Sequence, residues 1–422
     1  MTDRNARAAF PQGGADWEAL QARMADYAAG DVDWRSGRSP LFVFKNDEAT
    51  YEIGRRAFFE YFNENGLGGT RAFFGIGRME REVLDYGLSL LNAPEGGVGV
   101  FTPGGSESIF LAVKAARDRF RARPGAPRRE LNLVMPDTAH AAFDKAAQVM
   151  DLEIRRAPLG PDRRVDVAAM EALIDDRTFL LVGSAPCYPH GVVDPIPRIS
   201  RIAEARGIWL HVDACVGGWM LPFFAAAGRD LPEFDFRQPG VRSISADLHK
   251  FGFCPKPAST LFYREIEDRD RAQFVADAWP SGVFRTSTLA GTRPGGAVAA
   301  AWAVLNHLGS SGYLTAARRL AAMTDAYVAG IEAIEGLEMI ARPDFSIVNF
   351  GSSVHDMTAV ATGLSDRGWL VTLTRRPVGL HLMMSLLHEA PREDYLADLR
   401  AAVDGAAAER RPADESLGTY AG

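Results

Sequence analysis

The sequence predicts an α/β protein: a large domain on a mostly parallel sheet, followed by a smaller C-terminal α/β domain. Through the middle of the chain, short apolar runs alternate with helical patterns, the order that packs helices on both faces of a parallel sheet. The apolar runs are hydrophobic nearly throughout instead of alternating, as strands covered on both faces must be. After "GTRPGG" (291–296) the pattern turns predominantly helical, which marks the change of domain.

The elements follow in order. Residues 1–60 read as a helical segment with too little apolar periodicity to form a core alone. The large domain spans 61–296. Its first strand, "GVGVFTPGG" (97–105), ends in a glycine turn, and "ESIFLAVKAARDRF" then sets Ile109, Ala112, Val113 and Ala116 at helical spacing. Further strands are predicted at "LNLVMP" (131–136), "FLLVGSA" (179–185), "IWLHVDA" (208–214), "RSISAD" (242–247) and "STLFYR" (259–264). Helical patterns lie between them near 139–150, 168–174 and 196–206. The small domain, 297–408, begins after Gly295-Gly296 with helical runs at 297–308 and 313–334. It continues through strand-like pieces at "FSIVNFG" (345–351) and "GLHLMMSLL" (379–387), and a polar tail occupies 409–422.

Composition narrows the function classes. The chain has 422 residues, 47% hydrophobic and 24% charged, with a formal net charge of −7. Such a balance offers no basic excess for nucleic acid or an anionic membrane. Three cysteines, Cys187, Cys215 and Cys254, have neither an even count nor CxxC spacing, which points to a reducing compartment instead of a disulfide framework or thiolate zinc site. No signal-peptide pattern opens the chain and no run approaches the ~18 apolar residues of a membrane span. A cytoplasmic protein is expected.

Four features fall at or beyond strand ends, where ligands collect in open α/β sheets. In "TPGGSES", Gly104 and Gly105 let backbone amides approach an anion, Ser106 adds a hydroxyl, and the helix N-terminus favours a phosphate. Glycine turns before helices are common, and neither a Walker loop nor a clean GxGxxG is present. His140, in "DTAHAAFDKAA", is either a helix-capping histidine or an imidazole stacked on a flat ligand. Asp213, in "WLHVDACVGGW", is a solvated turn residue or a buried carboxylate that needs a cationic or hydrogen-bonding partner. The stretch "SISADLHKFGFCPKPAS" (243–259) sets Lys250 at the end of an apolar strand and Lys256 six residues on. A lysine at a strand end is either a plain surface residue or, when partly buried, an amine of lowered pKa that acts as a nucleophile for carbonyls. A phosphate cradle, a stacking imidazole, an aspartate and a nucleophilic lysine together describe pyridoxal 5′-phosphate, whose ring acts as an electron sink when its nitrogen is kept protonated.

With these motifs the sequence resembles the fold-type I pyridoxal-phosphate enzymes, and within them the sphingosine-1-phosphate lyase branch of the group II decarboxylase superfamily. "TPGGSES", "TAHAAFDKAA", "GSAPCYPHGVVDPI", "HVDACVGGW", "SISADLHKFGFCPK" and "LAGTRPGG" carry the resemblance, over about residues 75–400. It implies a seven-stranded sheet, with Lys250 as the Schiff-base lysine, Asp213 on the ring nitrogen and His140 on the ring face. Gly105, Ser106 and His249 would hold the phosphate, helped by Gly291 and Thr292 from across a homodimer interface.

The same resemblance addresses the reaction. Tyr188 and Lys256 match residues that lie near the reacting hydroxyl and substrate phosphate in the lyase branch; the bland readings are a pocket wall and a loop lysine. Retro-aldol cleavage needs a base for a β-hydroxyl proton, and Tyr188 would serve as one or relay the proton. Two lyase residues are missing: Phe44 and Gly68 stand where a tyrosine and a histidine help bind the phosphate. A smaller polar substrate is therefore expected, its anionic group held by Arg285 or Lys45. The alternative is amino-acid α-decarboxylation; many decarboxylases carry "HVDAA" and an arginine in the C-terminal strand, where this chain has "HVDAC" and "GLHLMMSLLH". A silent cofactor-binding scaffold predicts decay of Lys250, Asp213 and His140, and all three are present. A nucleotide-dependent dehydrogenase lacks its glycine fingerprint.

Overall fold

The computed structural model describes residues 7–408; the predicted polar tail at 409–422 lies outside them. Three helices come first: α1 (Trp17–Tyr27), α2 (Glu48–Glu60) and α3 (Phe74–Leu90). The large domain then runs β1 (Val98–Thr102), α4 (Gly105–Arg121), β2 (Asn132–Pro136), α5 (Ala142–Met150), β3 (Glu153–Ala157), α6 (Val167–Ala172) and β4 (Thr178–Ser184). It continues with α7 (Ile196–Arg206), β5 (Trp209–Asp213), α8 (Leu221–Ala226), β6 (Val241–Ala246), β7 (Ser259–Tyr263) and α9 (Ile266–Ala272).

Seven strands form one sheet in the order β1-β7-β6-β5-β4-β2-β3. Only β7 runs antiparallel to its neighbours. Strands β2, β4, β5 and β7 are buried at every position, because helices cover both faces and leave no polar side to alternate with. The predicted strands all form. The edge strand β3, "EIRRA", escapes an apolar-run reading because it faces solvent on one side, where Arg155 pairs with Glu153 and Asp175.

A short antiparallel hairpin, β8 (Phe274–Ala276) and β9 (Phe284–Thr286), precedes the long helix α10 (Gly295–Glu332). Both predicted helical runs belong to α10, which bends at Gly309. Its N-terminal part packs on α2 and α3, not on the C-terminal sheet alone. That second sheet is antiparallel, ordered β10 (Glu338–Ala341), β11 (Ile347–Gly351), β13 (Val378–Met383) and β12 (Thr372–Arg375), with α11 (Met357–Ser365) and α12 (Arg392–Ala408) packed together beside it. The N-terminal segment crosses to this unit: the Arg38 and Pro40 carbonyls accept hydrogen bonds from the Leu370 and Met383 amides, at 2.8 and 2.9 Å. Among the described residues no helix is long and apolar enough to cross a membrane.

Candidate active site

The four strand-end features meet in one cavity of about 250 Å³ at the carboxyl edge of the large sheet. Gly104, Gly105 and Ser106 border it at the start of α4, beside His140, Asp213, His249 and Lys250. The chain reverses tightly there. A Cβ built on Gly105 would lie 2.7 Å from Cys215 Sγ and 2.9 Å from Asp247 Oδ1, so glycine alone leaves that end of the cavity open.

Lys250 follows β6 in a turn whose Asp247 carboxylate is buried. Lys250 Nζ lies 2.9 Å from Asp247 Oδ2, and His249 Nε2 lies 3.7 Å from the same oxygen. On its other side Asp247 accepts a 2.5 Å hydrogen bond from Ser259, which contacts Ser108 at 3.1 Å, and Ser108 contacts Thr102 at 2.7 Å. Burial raises the cost of the Asp247 charge, yet Lys250 and His249 outweigh it and hold the carboxyl below its ordinary range. For Lys250, burial opposes the charge and Asp247 reverses that, so the ammonium is held above its usual value. The expectation of a lowered lysine pKa is therefore corrected: a buried carboxylate three residues away decides the sign. The signal was in the sequence, as the Asp of "SADLHK".

Asp213 ends β5, buried, with Oδ1 accepting from the Cys215 amide at 3.1 Å and from Ser245 Oγ at 3.3 Å. Behind it, His211 contacts Ser245 at 3.2 Å and Ser243 at 2.8 Å. Burial pushes the His211 imidazole down to about 4. His140 stands just ahead of α5, and its Nδ1 accepts from the Ala142 amide at 3.1 Å. It both caps the helix and borders the cavity, so its two readings from sequence are not exclusive. Burial lowers its pKa, which favours a neutral ring. Tyr188 meets His140 edge-on with ring centroids 6.4 Å apart.

A second cavity, about 310 Å³, has His249 in its wall as the first does. Lys256 and Lys45 border it, with Trp34, Phe44, Tyr51 and Phe58 among its walls. Lys256 Nζ donates to the Phe42 carbonyl at 2.7 Å, and burial together with the nearby Lys250 charge pushes its ammonium down. Lys45 pairs with Glu48 and sits 4.8 Å over the Tyr51 ring, while Phe44 packs on Phe251 at 5.0 Å. Gly68 lies in a turn outside both cavities. Arg285 is exposed on β9 and borders neither cavity of its own chain. Gly291 and Thr292 also stand outside, with Gly291 between Phe284 and Leu67 and Thr292 Oγ1 accepting from Asn65 at 3.3 Å.

A planar aldehyde carrying a phosphate fits the first cavity. The glycine turn and open helix N-terminus suit the phosphate, an amine stands within, and a buried carboxylate lies at the far strand end. Fold and cavity together define a pyridoxal-phosphate enzyme of fold type I. The pattern described as the pyridoxal-dependent decarboxylase conserved domain matches residues 76–352, and the chain belongs to that family. It is a pyridoxal-phosphate-dependent lyase. Rice sphingosine-1-phosphate lyase is 37% identical over 397 residues, 92% of this chain and 72% of that protein. A probable L-tyrosine/L-aspartate decarboxylase of Methanothrix thermoacetophila is 39% identical over 342 residues, 81% of this chain and 85% of the other. The solved sphingosine-1-phosphate lyase of Burkholderia pseudomallei K96243 superposes with a TM-score of 0.90 at 35% identity, covering 96% of this chain and 94% of that one. The chain spans 62% to 74% of the length of the matched lyases from Arabidopsis and Dictyostelium respectively.

Proposed function

We propose that this enzyme cleaves the carbon–carbon bond of a β-hydroxy amine and releases an aldehyde, with an anionic group of the substrate held by Lys256. His249 borders both cavities, with Lys250 lining one and Lys256 the other, and this arrangement carries the reading. It gives a single substrate a reacting end and a charged end.

In this proposal Gly104, Gly105, Ser106 and His249 hold the cofactor phosphate, His140 covers the ring, and Asp213 pairs with its nitrogen. When bound there, pyridoxal phosphate would supply an electron sink for the amino-bearing carbon. Tyr188 accepts the β-hydroxyl proton as the carbon–carbon bond breaks; the oxygen leaves as the aldehyde carbonyl, and the amino-bearing carbon gains a proton. Lys256 keeps the anionic group in the second cavity, with Lys45 nearby. The aromatic walls there favour an apolar portion beside the charge. Decarboxylation is disfavoured because the C-terminal strand β13, in which many decarboxylases carry an arginine, has none here and instead buries His381.

The proposal includes a homodimer. Phe59, Phe62, Leu67, Trp279 and Leu289 are exposed apolar side chains, and Leu67 stands beside Gly291 of the Gly291–Thr292 turn. Across such an interface, Arg285 and that turn would contribute to the partner's cavity. A reducing, cytoplasmic setting completes it, in keeping with three free, buried cysteines.

The test is a panel of phosphorylated long-chain amino alcohols, β-hydroxy amino acids and acidic amino acids, assayed in parallel for aldehyde and carbon dioxide. Aldehyde alone is expected, with Lys256→Met raising KM at least tenfold. Carbon dioxide without aldehyde would overturn the retro-aldol assignment.

A further inference from the structure

The loop that carries Tyr188 is held from outside the large domain. Asn349 on β11 and His381 on β13 are direct partners across the antiparallel pair, so their side chains share one face of the small sheet. Both reach the same loop. His381 Nε2 lies 2.8 Å from the Tyr188 carbonyl, and the two rings pack with centroids 4.5 Å apart at 41°. Two residues on, His190 Nδ1 lies 2.9 Å from Asn349 Oδ1.

Hydrogen-bond bookkeeping fixes the tautomers. A carbonyl only accepts, so His381 must carry its proton on Nε2. Its Nδ1 lies 3.3 Å from Thr372 Oγ1, whose hydroxyl donates to the His381 carbonyl at 2.8 Å. Asn349 Nδ2 donates to the Leu380 carbonyl at 2.9 Å and to Thr374 at 3.2 Å. That orientation turns Oδ1 toward His190, which must protonate Nδ1. Both imidazoles act here as neutral donors, and burial lowers the pKa of each.

We infer that His381 is a positioning residue for Tyr188: its Nε2–H and ring face, with the His190–Asn349 bond as second support, fix the phenol at the cavity beside His140. The small domain thereby sets where the proton-accepting group stands, without contact between His381 and the substrate. Displacement of such a group by about 1 Å can cost about 100-fold in rate. The inference rests on the role proposed for Tyr188.

The experiment is a double-mutant cycle with a conservative rescue. His381→Ala should lower kcat for aldehyde release at least tenfold, with cofactor affinity within twofold of wild type. His381→Gln, whose side-chain amide can still donate to the Tyr188 carbonyl, should recover most of that loss. In a Tyr188→Phe background His381→Ala should add less than a further twofold, since the group it positions is gone. In the apoenzyme, hydrogen exchange of residues 186–191 should quicken in His381→Ala and return toward wild type in His381→Gln. If Tyr188→Phe is impaired while His381→Ala and His381→Gln both keep wild-type kcat, this inference is wrong. If Tyr188→Phe itself keeps wild-type kcat, the proposed role of Tyr188 fails first. A loss in His381→Ala that persists undiminished in the Tyr188→Phe background marks His381 as structural only and also overturns the inference.

Discussion

Lys250 Nζ lies 2.9 Å from Asp247 Oδ2, with the carboxylate buried and the lysine side chain 21% exposed at the cavity. The pair is mutually dependent: Asp247 keeps the lysine charged, and Lys250 with His249 keeps the aspartate ionised. An amine in that state cannot attack a carbonyl until it gives up a proton. The nearest acceptor is Asp247 itself, which backs onto the Ser259–Ser108–Thr102 hydroxyl row.

Removing the carboxylate should therefore free the amine. In Asp247→Asn apoenzyme, the pH midpoint for acylation of Lys250, followed by peptide mass spectrometry, should fall by at least about one unit. The sign follows from the pair: loss of the negative partner leaves burial as the dominant influence, which favours the neutral amine. An unchanged midpoint would show that the ion pair does not govern Lys250.

Gly105→Ala tests the phosphate end of the cavity. The added Cβ would stand 2.7 Å from Cys215 Sγ and 2.9 to 3.0 Å from the Asp247 oxygens. Neither neighbour yields easily, since Ser259 and Lys250 tie the carboxylate and Ser245 contacts the thiol at 3.3 Å. The start of α4 must shift instead. Cofactor titration of the apoenzyme should show at least tenfold weaker binding, with little change in the far-ultraviolet circular dichroism.

Acid stability should carry the signature of buried neutral histidines. His211 and His381 are each pushed down by burial to about 4. Unfolded histidines bind protons below about 6.5, so between these values the unfolded chain holds more protons and stability falls as pH falls. Each contributes up to about 3 kcal/mol across that window. The urea midpoint should drop between pH 6.5 and pH 4, and less steeply in His381→Gln, which has no imidazole to titrate. Equal slopes in the two proteins would contradict this assignment.

Most of the large domain was legible because its strands are buried on both faces, and a run of apolar residues needs no partner to be recognised. Lys250, Asp213, His140 and the Gly104–Ser106 turn could be found because each sits at a strand end, where topology alone brings distant segments together. What failed to show was set by pairing across sequence. The strand β3 carries three charged residues at a sheet edge, and the strands β8, β9, β10 and β12 are only three or four residues long. His381 reads as one more residue of an apolar strand until β13 is laid beside the Tyr188 loop. Arg285 stood out as a cation near a glycine turn, but the hairpin turns it to solvent, whereas Lys45 and Lys256 converge from 211 residues apart only after folding.

The bend in α10 gives a stability prediction free of packing effects. Gly309 has φ 55° and ψ −177°, a region open to glycine and nearly closed to other residues. A Cβ there would meet nothing within 4 Å, so Gly309→Ala would introduce backbone strain without a clash. The cost should be about 1–3 kcal/mol, measured as a lower urea midpoint at pH 7 with an unchanged slope. Gly312→Ala, three residues on in the helical stretch, is the control, where the new Cβ stands 3.1 Å from the flexible Leu308 side chain. Alanine is favoured over glycine within a helix by up to about 1 kcal/mol, so that variant should be near neutral or more stable. If Gly309→Ala matches wild type, the two segments of α10 can join as one straight helix and the bend is not imposed by the backbone.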